Sequence, residues 1–161
     1  MRLLKILDEK FEEYLVVLLL GAMSLIIGLQ VFMRYVMQES LYWSEEIARY
    51  MFIWLICIGI SYGVKKNRHI CVDTIFNLLP ERAARWFSIL ADLLFLAFAI
   101  FVTCKGLEVV QGIFRSGQTS AALEAPMWTV YTAVPVGFGL VIVRLMQNIL
   151  SKVRAIRGAT L

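Results

Sequence analysis

Four long apolar segments determine the class of this chain. They cover Tyr14–Met33, Tyr50–Val64, Trp86–Cys104 and Ala125–Val143, and they are 20, 15, 19 and 19 residues long. Of the 28 charged residues (16 basic and 12 acidic), only Asp92 lies inside them. A helix needs ~20 apolar residues to cross ~30 Å of hydrocarbon. The segments predict an all-α integral membrane protein with four transmembrane helices, and they exclude a soluble enzyme, a secreted disulfide scaffold and a nucleic-acid binder.

The distribution of lysine and arginine predicts the orientation in the membrane. The N-terminal segment, the second loop and the C-terminal tail together hold 12 basic residues, whereas the first and third loops with the helix ends beside them hold 4. Cytoplasmic segments carry the excess of basic residues. Both termini and the second loop are therefore predicted to be cytoplasmic. The first apolar segment is longer than that of a signal peptide and no small-residue cleavage site closes it, so it is predicted to be retained.

Helical patterning extends the apolar segments within a single membrane domain, 1–161. The predicted helices span about 10–36, 44–64, 83–116 and 125–150. The second loop carries apolar residues at the spacing of one helix face, closed by a proline: Val72, Ile75, Phe76, Leu79 and Pro80. This pattern predicts a short amphipathic interfacial helix over about 70–79.

Aromatic residues, a proline and two glycines predict local features of the fourth helix. Trp128 and Tyr131 are predicted to lie in the aromatic belt at the membrane interface. Pro135 lies mid-segment and predicts a kink. Gly137 and Gly139 predict a close approach of a neighbouring helix nearby.

The start of the second helix is its most informative part. Fifteen apolar residues cover only about 22 Å, so the helix must take its first turn from polar residues: Trp43, Ser44, Glu45, Glu46 and Arg49. Ser44 is predicted as the N-cap, and both glutamates lie within i,i+3 or i,i+4 reach of Arg49. Arg34, at the same membrane face, is a candidate partner. Two interpretations stay open here, a helix cap with interfacial anchors or a contact surface for a partner protein, and neither is catalytic.

Asp92 is an acid inside a predicted membrane helix. Such a residue costs several kcal/mol unless it is paired, so a functional role is the default hypothesis. It lies near the predicted cytoplasmic end, where interfacial water or a basic side chain is within reach. Structural pairing, an ion or proton role, and contact with another subunit all remain open.

Groups that an autonomous carrier or a cofactor protein needs are missing from the sequence. Solute carriers bind at the midplane with discontinuous, repeated helices, and a membrane cytochrome needs axial histidines inside helices. The single histidine, His69, lies in a predicted loop, and the three cysteines form no paired motif. The sequence therefore predicts no cofactor, no metal site and no enzyme, and it favours a membrane module that needs a partner.

Two motifs give the chain a family resemblance. Trp43-Ser44-Glu45-Glu46-x-x-Arg49 is followed by Trp54, Gly59, His69-Ile70-x-Val72-Asp73 and Leu79-Pro80. The second motif reads Ser120-x-x-Leu123-x-x-Pro126-x-Trp128-x-x-Tyr131-x-x-x-Pro135-x-Gly137. Their order and spacing, over nearly the whole chain, resemble the small membrane (Q-type, DctQ-like) subunit of tripartite ATP-independent periplasmic (TRAP) transporters, most closely the sialic-acid type.

This resemblance implies a transport function. In the family, a periplasmic solute-binding protein delivers a carboxylate such as sialic acid or a C4-dicarboxylate to a membrane complex. A large M-type subunit carries the solute and sodium sites and moves as an elevator, and the small subunit is its fixed scaffold. The resemblance thus implies the bacterial inner (cytoplasmic) membrane as location, the large subunit and the binding protein as partners, and no solute, metal or catalytic site in this chain.

The residues predicted to form subunit or binding-protein interfaces are Arg34, Trp43, Glu45, Glu46, Arg49, Asp92 and Arg115. Arg34 and Arg115 are candidates to meet the acidic surface of a binding protein. The competing hypothesis is a stand-alone four-helix ion- or proton-coupled carrier that uses Asp92.

Overall fold

A computed structural model describes residues 2–66 and 81–158, with side chains for residues 10–66 and 86–154. The helices are α1 (Arg2–Phe32), α2 (Tyr42–Lys65), α3 (Glu81–Ser116), α4 (Trp128–Tyr131) and α5 (Ala133–Gly158). A π-helical turn, Met33–Met37, continues α1. The predicted interfacial helix over about 70–79, and the motif residues of the second loop, lie outside the described residues.

Within residues 2–66 and 81–158, four segments are long and apolar enough to cross a bilayer. They are Lys10–Met37, Tyr42–Lys65, Trp86–Ser116 and Trp128–Arg154. Within the described ranges the only extended pairing is an isolated bridge between Thr119 and Pro126. The prediction of an all-α membrane protein with four spans is confirmed, and the chain is a multi-pass membrane protein.

The four spans pack mainly along a row, with the fourth span between the second and the third, rather than around a common axis. α1 packs on α2, α2 packs on α5, and α5 packs on α3. Accordingly, none of the most apolar window of α1 is buried inside the chain, against 39% of that of the fourth span. α2 and α5 are thus the central helices, whereas α1 and α3 present wide surfaces to whatever surrounds the chain.

Close contact between the central helices depends on a glycine. A Cβ atom on Gly137 would lie 2.6 Å from Cys57 Cβ and 2.8 Å from the Cys57 carbonyl oxygen. This confirms the predicted close approach at Gly137, whereas a Cβ on Gly139 would meet no atom within 4 Å. Towards the other end of the pair, side chains from three helices form the buried core: Val64, Ala99, Val141 and Leu145.

Pro135 interrupts the fourth span one turn upstream of itself. Helix α4 ends at Tyr131 and α5 begins at Ala133, so Thr132 separates them. A proline has no N–H for the carbonyl four residues earlier and its ring crowds that carbonyl, which here belongs to Tyr131. Val136 donates its N–H to the Thr132 carbonyl oxygen at 3.1 Å, and the helix resumes immediately.

Candidate interface sites at the two membrane ends

Polar side chains gather at both ends of the helix row. We call the end that holds Glu46 the outer end and the end that holds Glu12 the inner end. Between them, α2 rises about 28 Å from Glu46 to Lys65. Residues predicted as a single set of interface candidates therefore divide into two separate sites.

At the outer end, α2 starts earlier than the sequence predicts. The helix begins at Tyr42 and its N-cap is Leu41, so the prediction of Ser44 as N-cap is wrong. Ser44 is instead buried in the first turn, where its Oγ donates to the Leu41 carbonyl oxygen at 2.7 Å. A serine hydroxyl readily bonds a carbonyl three or four residues back, so Ser44 tightens this turn from within.

The two glutamates of this turn take different partners. Arg49 Nη2 donates to Glu45 Oε1 at 2.9 Å, and both side chains are about two-thirds exposed, at 66% and 70%. Glu46 turns the other way, and its Oε1 accepts a short hydrogen bond from the Tyr50 hydroxyl. The predicted Glu45–Arg49 pair is confirmed, whereas Glu46 is directed to the loop that follows α3.

Glu46 holds this outer loop, residues 117–127, through backbone groups. Its Oε2 accepts from the N–H groups of Ala122 at 2.9 Å and Leu123 at 3.1 Å. Met127 Sδ lies 3.3 Å from the Tyr50 hydroxyl oxygen, so the far end of the loop contacts the same pair. One carboxylate thus ties the start of α2 to the connection between α3 and α4.

The outer loop is also closed on itself. Ser120 donates its N–H to the Ala125 carbonyl oxygen at 2.9 Å, and Met127 donates to that of Gln118 at 3.0 Å. Gly117 and Glu124 have φ angles of +64° and +52°. These left-handed residues reverse the chain at either side of the segment that Glu46 binds. The loop is therefore held as one compact element on the outer surface.

The remaining outer candidates lie at the surface. Arg34 is exposed on the π-helical turn after α1. Trp43 is exposed in the first turn of α2, and Arg115 is exposed in the last turn of α3. Of the predicted outer candidates, the structure brings Glu45 and Arg49 together, places Glu46 in the loop contact, and leaves these three available to partners.

At the inner end, Glu12 is the centre of a buried ionic cluster. Its side chain is fully buried, and its Oε1 accepts from Arg144 Nε at 2.9 Å and from Ser61 Oγ at 2.9 Å. Lys65 Nζ lies 3.3 Å from Glu12 Oε2. The cluster joins α1, α2 and α5 through one carboxylate, which is favourable in a low-dielectric site only because cations and a hydroxyl surround it.

The inner cluster continues towards α3 through α5. Asn148 Nδ2 donates to the Val64 carbonyl oxygen at 3.0 Å. One turn further, Lys152 Nζ contacts Asp92 Oδ2 at 2.5 Å and Ser88 Oγ at 2.8 Å. Asp92 therefore has a structural partner at the inner end, about 60 residues away in sequence, and lies at the opposite end from Glu46.

These two clusters connect helices and offer no place for a metal. Within residues 2–66 and 81–158, no group of three or more His, Cys, Asp or Glu side chains is arranged to hold a metal ion. Each carboxylate in the clusters faces a cation, a hydroxyl or backbone N–H groups of its own chain. The arrangement can fix helix positions and present a shaped outer surface.

Comparison with known proteins decides the family. The family model of the DctQ component of tripartite ATP-independent periplasmic transporters matches residues 23–155. The chain belongs to the DctQ family. The matched residues run from within α1 almost to the end of α5, so the match covers the start of α2, the outer loop and most of the inner cluster, although not Glu12.

Individual DctQ relatives are named as permease proteins for several solutes. The chain is 35% identical over 154 residues to the isethionate TRAP transporter permease protein DctMQ of Oleidesulfovibrio alaskensis. That alignment covers 92% of this chain but only 24% of the DctMQ protein. It is 28% identical to the C4-dicarboxylate TRAP transporter small permease protein DctQ of Vibrio cholerae, over 86% of this chain and 69% of that protein. It is 25% identical to the sialic acid TRAP transporter small permease protein SiaQ of Vibrio cholerae, over 99% and 91%.

Sequence reasoning missed the inner cluster of this DctQ-family chain. Glu12 stands in a charged amphipathic stretch and Arg144 stands at the end of an apolar segment, so both resemble ordinary flanking charges. A usable signal exists in the spacing: Ser61 and Lys65 are i,i+4, and Arg144, Asn148 and Lys152 follow one face of α5. The basic residues on these faces call for acids on the neighbouring helices, which α1 supplies as Glu12 and α3 as Asp92.

Proposed function

We propose that this chain is the small permease subunit of a TRAP transporter in a bacterial inner membrane, with both termini in the cytoplasm. It serves as the fixed scaffold partner of a large, sodium-coupled, elevator-type subunit. The observation that carries this proposal is the DctQ family match over residues 23–155. The naming of one relative as a DctMQ permease, of which this chain covers 24%, supports a large membrane partner.

The contacts within the chain support a scaffold role. Asp92, the acid on which a carrier would depend, is in contact with Lys152 at the inner end. Glu12 binds cations from two other helices. A carrier moves its cargo past groups near the midplane, whereas these acids are engaged in joining helices, as a rigid support requires.

The transported solute is proposed as a class. The three relatives described above are named for isethionate, C4-dicarboxylates and sialic acid, which are small organic acids. We therefore propose uptake of a small organic acid, with sialic acid and C4-dicarboxylates as candidates, delivered by a periplasmic solute-binding protein. In this scheme the large subunit and the binding protein select the solute. The small subunit has the same role whichever solute is transported.

The outer surface is the proposed docking side. Arg34 and Arg115, both exposed, are the residues proposed to meet an acidic surface of the binding protein. Trp43, Glu45 and Arg49 form, together with the Glu46 contact, a docking or assembly cluster at the start of α2. Reversing the charge at Arg49 breaks its contact with Glu45 and is expected to weaken assembly or uptake.

Co-purification and reconstituted uptake test the proposal together. The tagged chain, expressed with its genomic neighbours, is expected to bring down a much larger, many-helix protein, and solute uptake is expected to need both chains and the binding protein. Arg49→Glu is compared with Arg154→Glu, an exposed basic residue at the inner end. Normal complex yield and uptake with Arg49→Glu would remove that cluster from the mechanism, and the absence of any large partner would contradict the proposed function.

A further inference from the structure

A polar stripe runs along the outer half of α3 on the side that faces away from α5. It consists of Lys105, Glu108 and Gln111, all exposed. Lys105 Nζ donates to both carboxylate oxygens of Glu108, at 3.0 and 2.8 Å, and the two side chains are 57% and 65% exposed. Gly106, on the opposite side of the helix, packs on Pro135 of α5, where an added Cβ would lie 3.3 Å from the proline ring.

Two contacts fix the depth of the polar stripe relative to the fourth span. The Phe114 and Trp128 rings meet edge to face at 5.8 Å, which puts Phe114 level with the aromatic belt. Glu108 and Lys105 lie six and nine residues before Phe114, about 9 and 13 Å closer to the inner end along the helix axis. The Gly106–Pro135 contact agrees, because Pro135 lies well inside the apolar segment Ala125–Val143.

A charged pair and an amide are poor neighbours for lipid at this depth. Ionisable side chains within a membrane span nearly always face protein or a water-filled cavity rather than acyl chains. The two charges compensate each other, yet both side chains remain more than half exposed on the chain's own surface. The surface around them is therefore adapted to protein contact.

We propose that the polar stripe of α3 is the intramembrane contact surface for the large membrane subunit. This inference rests on the proposed function and adds which helix face the partner covers. The stripe lies within the third membrane span, Trp86–Ser116, which favours a membrane protein over a periplasmic one as its occupant. A larger membrane polypeptide is favoured over a second copy of this chain. The DctMQ permease is one polypeptide of which this chain matches only 24%, so the remainder of that protein is about three times as long as the matched part.

Site-specific photo-crosslinking in the assembled complex tests the occupant. A benzophenone amino acid at Gln111 is compared with the same probe at Leu25, which is 76% exposed on α1 at the opposite edge of the row. Illumination is expected to join Gln111 to the large subunit, with a yield several times that at Leu25. Adducts to lipid alone, or a crosslink to a second copy of this chain, would overturn the inference while the large subunit still co-purifies. If no large subunit co-purifies with the unmodified chain, the proposed function fails first and this inference fails with it.

Exchanging the two charges of the polar stripe tests whether the stripe contacts specific groups of the large subunit or is only polar. The double variant Lys105→Glu with Glu108→Lys keeps an i,i+3 pair and the same polarity, but it presents each charge to the wrong partner group. Like-charge contacts at an interface are strongly unfavourable, so co-purified large subunit is expected to fall at least about tenfold. The thermal midpoint of the isolated chain serves as the folding measurement and is expected to stay unchanged. An unchanged yield of complex would contradict the proposed contact.

Discussion

Replacing Glu12 with glutamine is expected to destabilise the chain more than any other single isosteric change. The side chain is fully buried, and it serves Arg144, Lys65 and Ser61 with two carboxylate oxygens. Glutamine keeps the shape and one acceptor oxygen but removes the charge. Two cations from different helices would then share a buried site from which their common carboxylate is gone.

The size of the effect follows from the burial. Removing one partner of a buried ion pair costs about 3–5 kcal/mol, because the remaining charge keeps its desolvation penalty and loses its compensation. For a chain of this length, 1 kcal/mol corresponds to a shift in thermal midpoint of about 2–4 °C. The midpoint of Glu12→Gln should therefore fall by roughly 6–20 °C.

Thermal unfolding of the purified chain in detergent measures this directly. The matched control is Glu13→Gln, the same substitution one residue further along at an exposed position. The control is expected to unfold within about 2 °C of the unmodified chain, since exposed charges contribute little. Equal midpoints for the Glu12 and Glu13 variants would refute the assignment of the inner cluster as the joint between α1, α2 and α5.

Three further variants test other parts of the account. Glu46→Ala should make the two loop amides that Glu46 binds exchange hydrogen roughly tenfold faster, because each amide loses about one hydrogen bond. Hydrogen–deuterium exchange measures this, with Glu45→Ala as the control that should change nothing. Equal exchange in the two variants would contradict the loop contact. Gly137→Ala should lower the stability in detergent by about 1–3 kcal/mol, because the added Cβ would clash with Cys57. Gly139→Ala should leave the stability unchanged, since its Cβ would meet no atom within 4 Å. Equal stabilities of the two variants would refute the close packing. Asp92→Asn should retain most of the uptake by the reconstituted complex, and complete loss of uptake with the complex intact would favour the carrier hypothesis.

The fold was largely predictable because the bilayer restricts the choice. Apolar segments of nearly 20 residues between charged loops have one common solution, the membrane-spanning helix. The interruption near Pro135 and the close approach at Gly137 also follow from the chemistry of single residues. The lengths of the segments do not determine which helices are neighbours. The row with α1 and α3 at its edges was therefore not predictable from them.

The polar contacts were predictable only where both partners lie on one helix. Glu45 and Arg49 are four residues apart, and helical geometry alone brings them together. Glu46 binds amides 76 and 77 residues away, and Asp92 meets a lysine 60 residues away, so their partners depend on tertiary packing. Glu12 was missed because a flanking charge and a buried one look alike until the facing helices are known.

Transport by sealed vesicles tests the central claim most directly. Proteoliposomes that hold this chain alone, the large subunit alone, or both are supplied with a sodium gradient, the binding protein and its radiolabelled organic acid. Uptake is expected only when both membrane chains are present, and this chain alone is expected to give background counts. Sodium-dependent accumulation in vesicles that contain only this chain would contradict it.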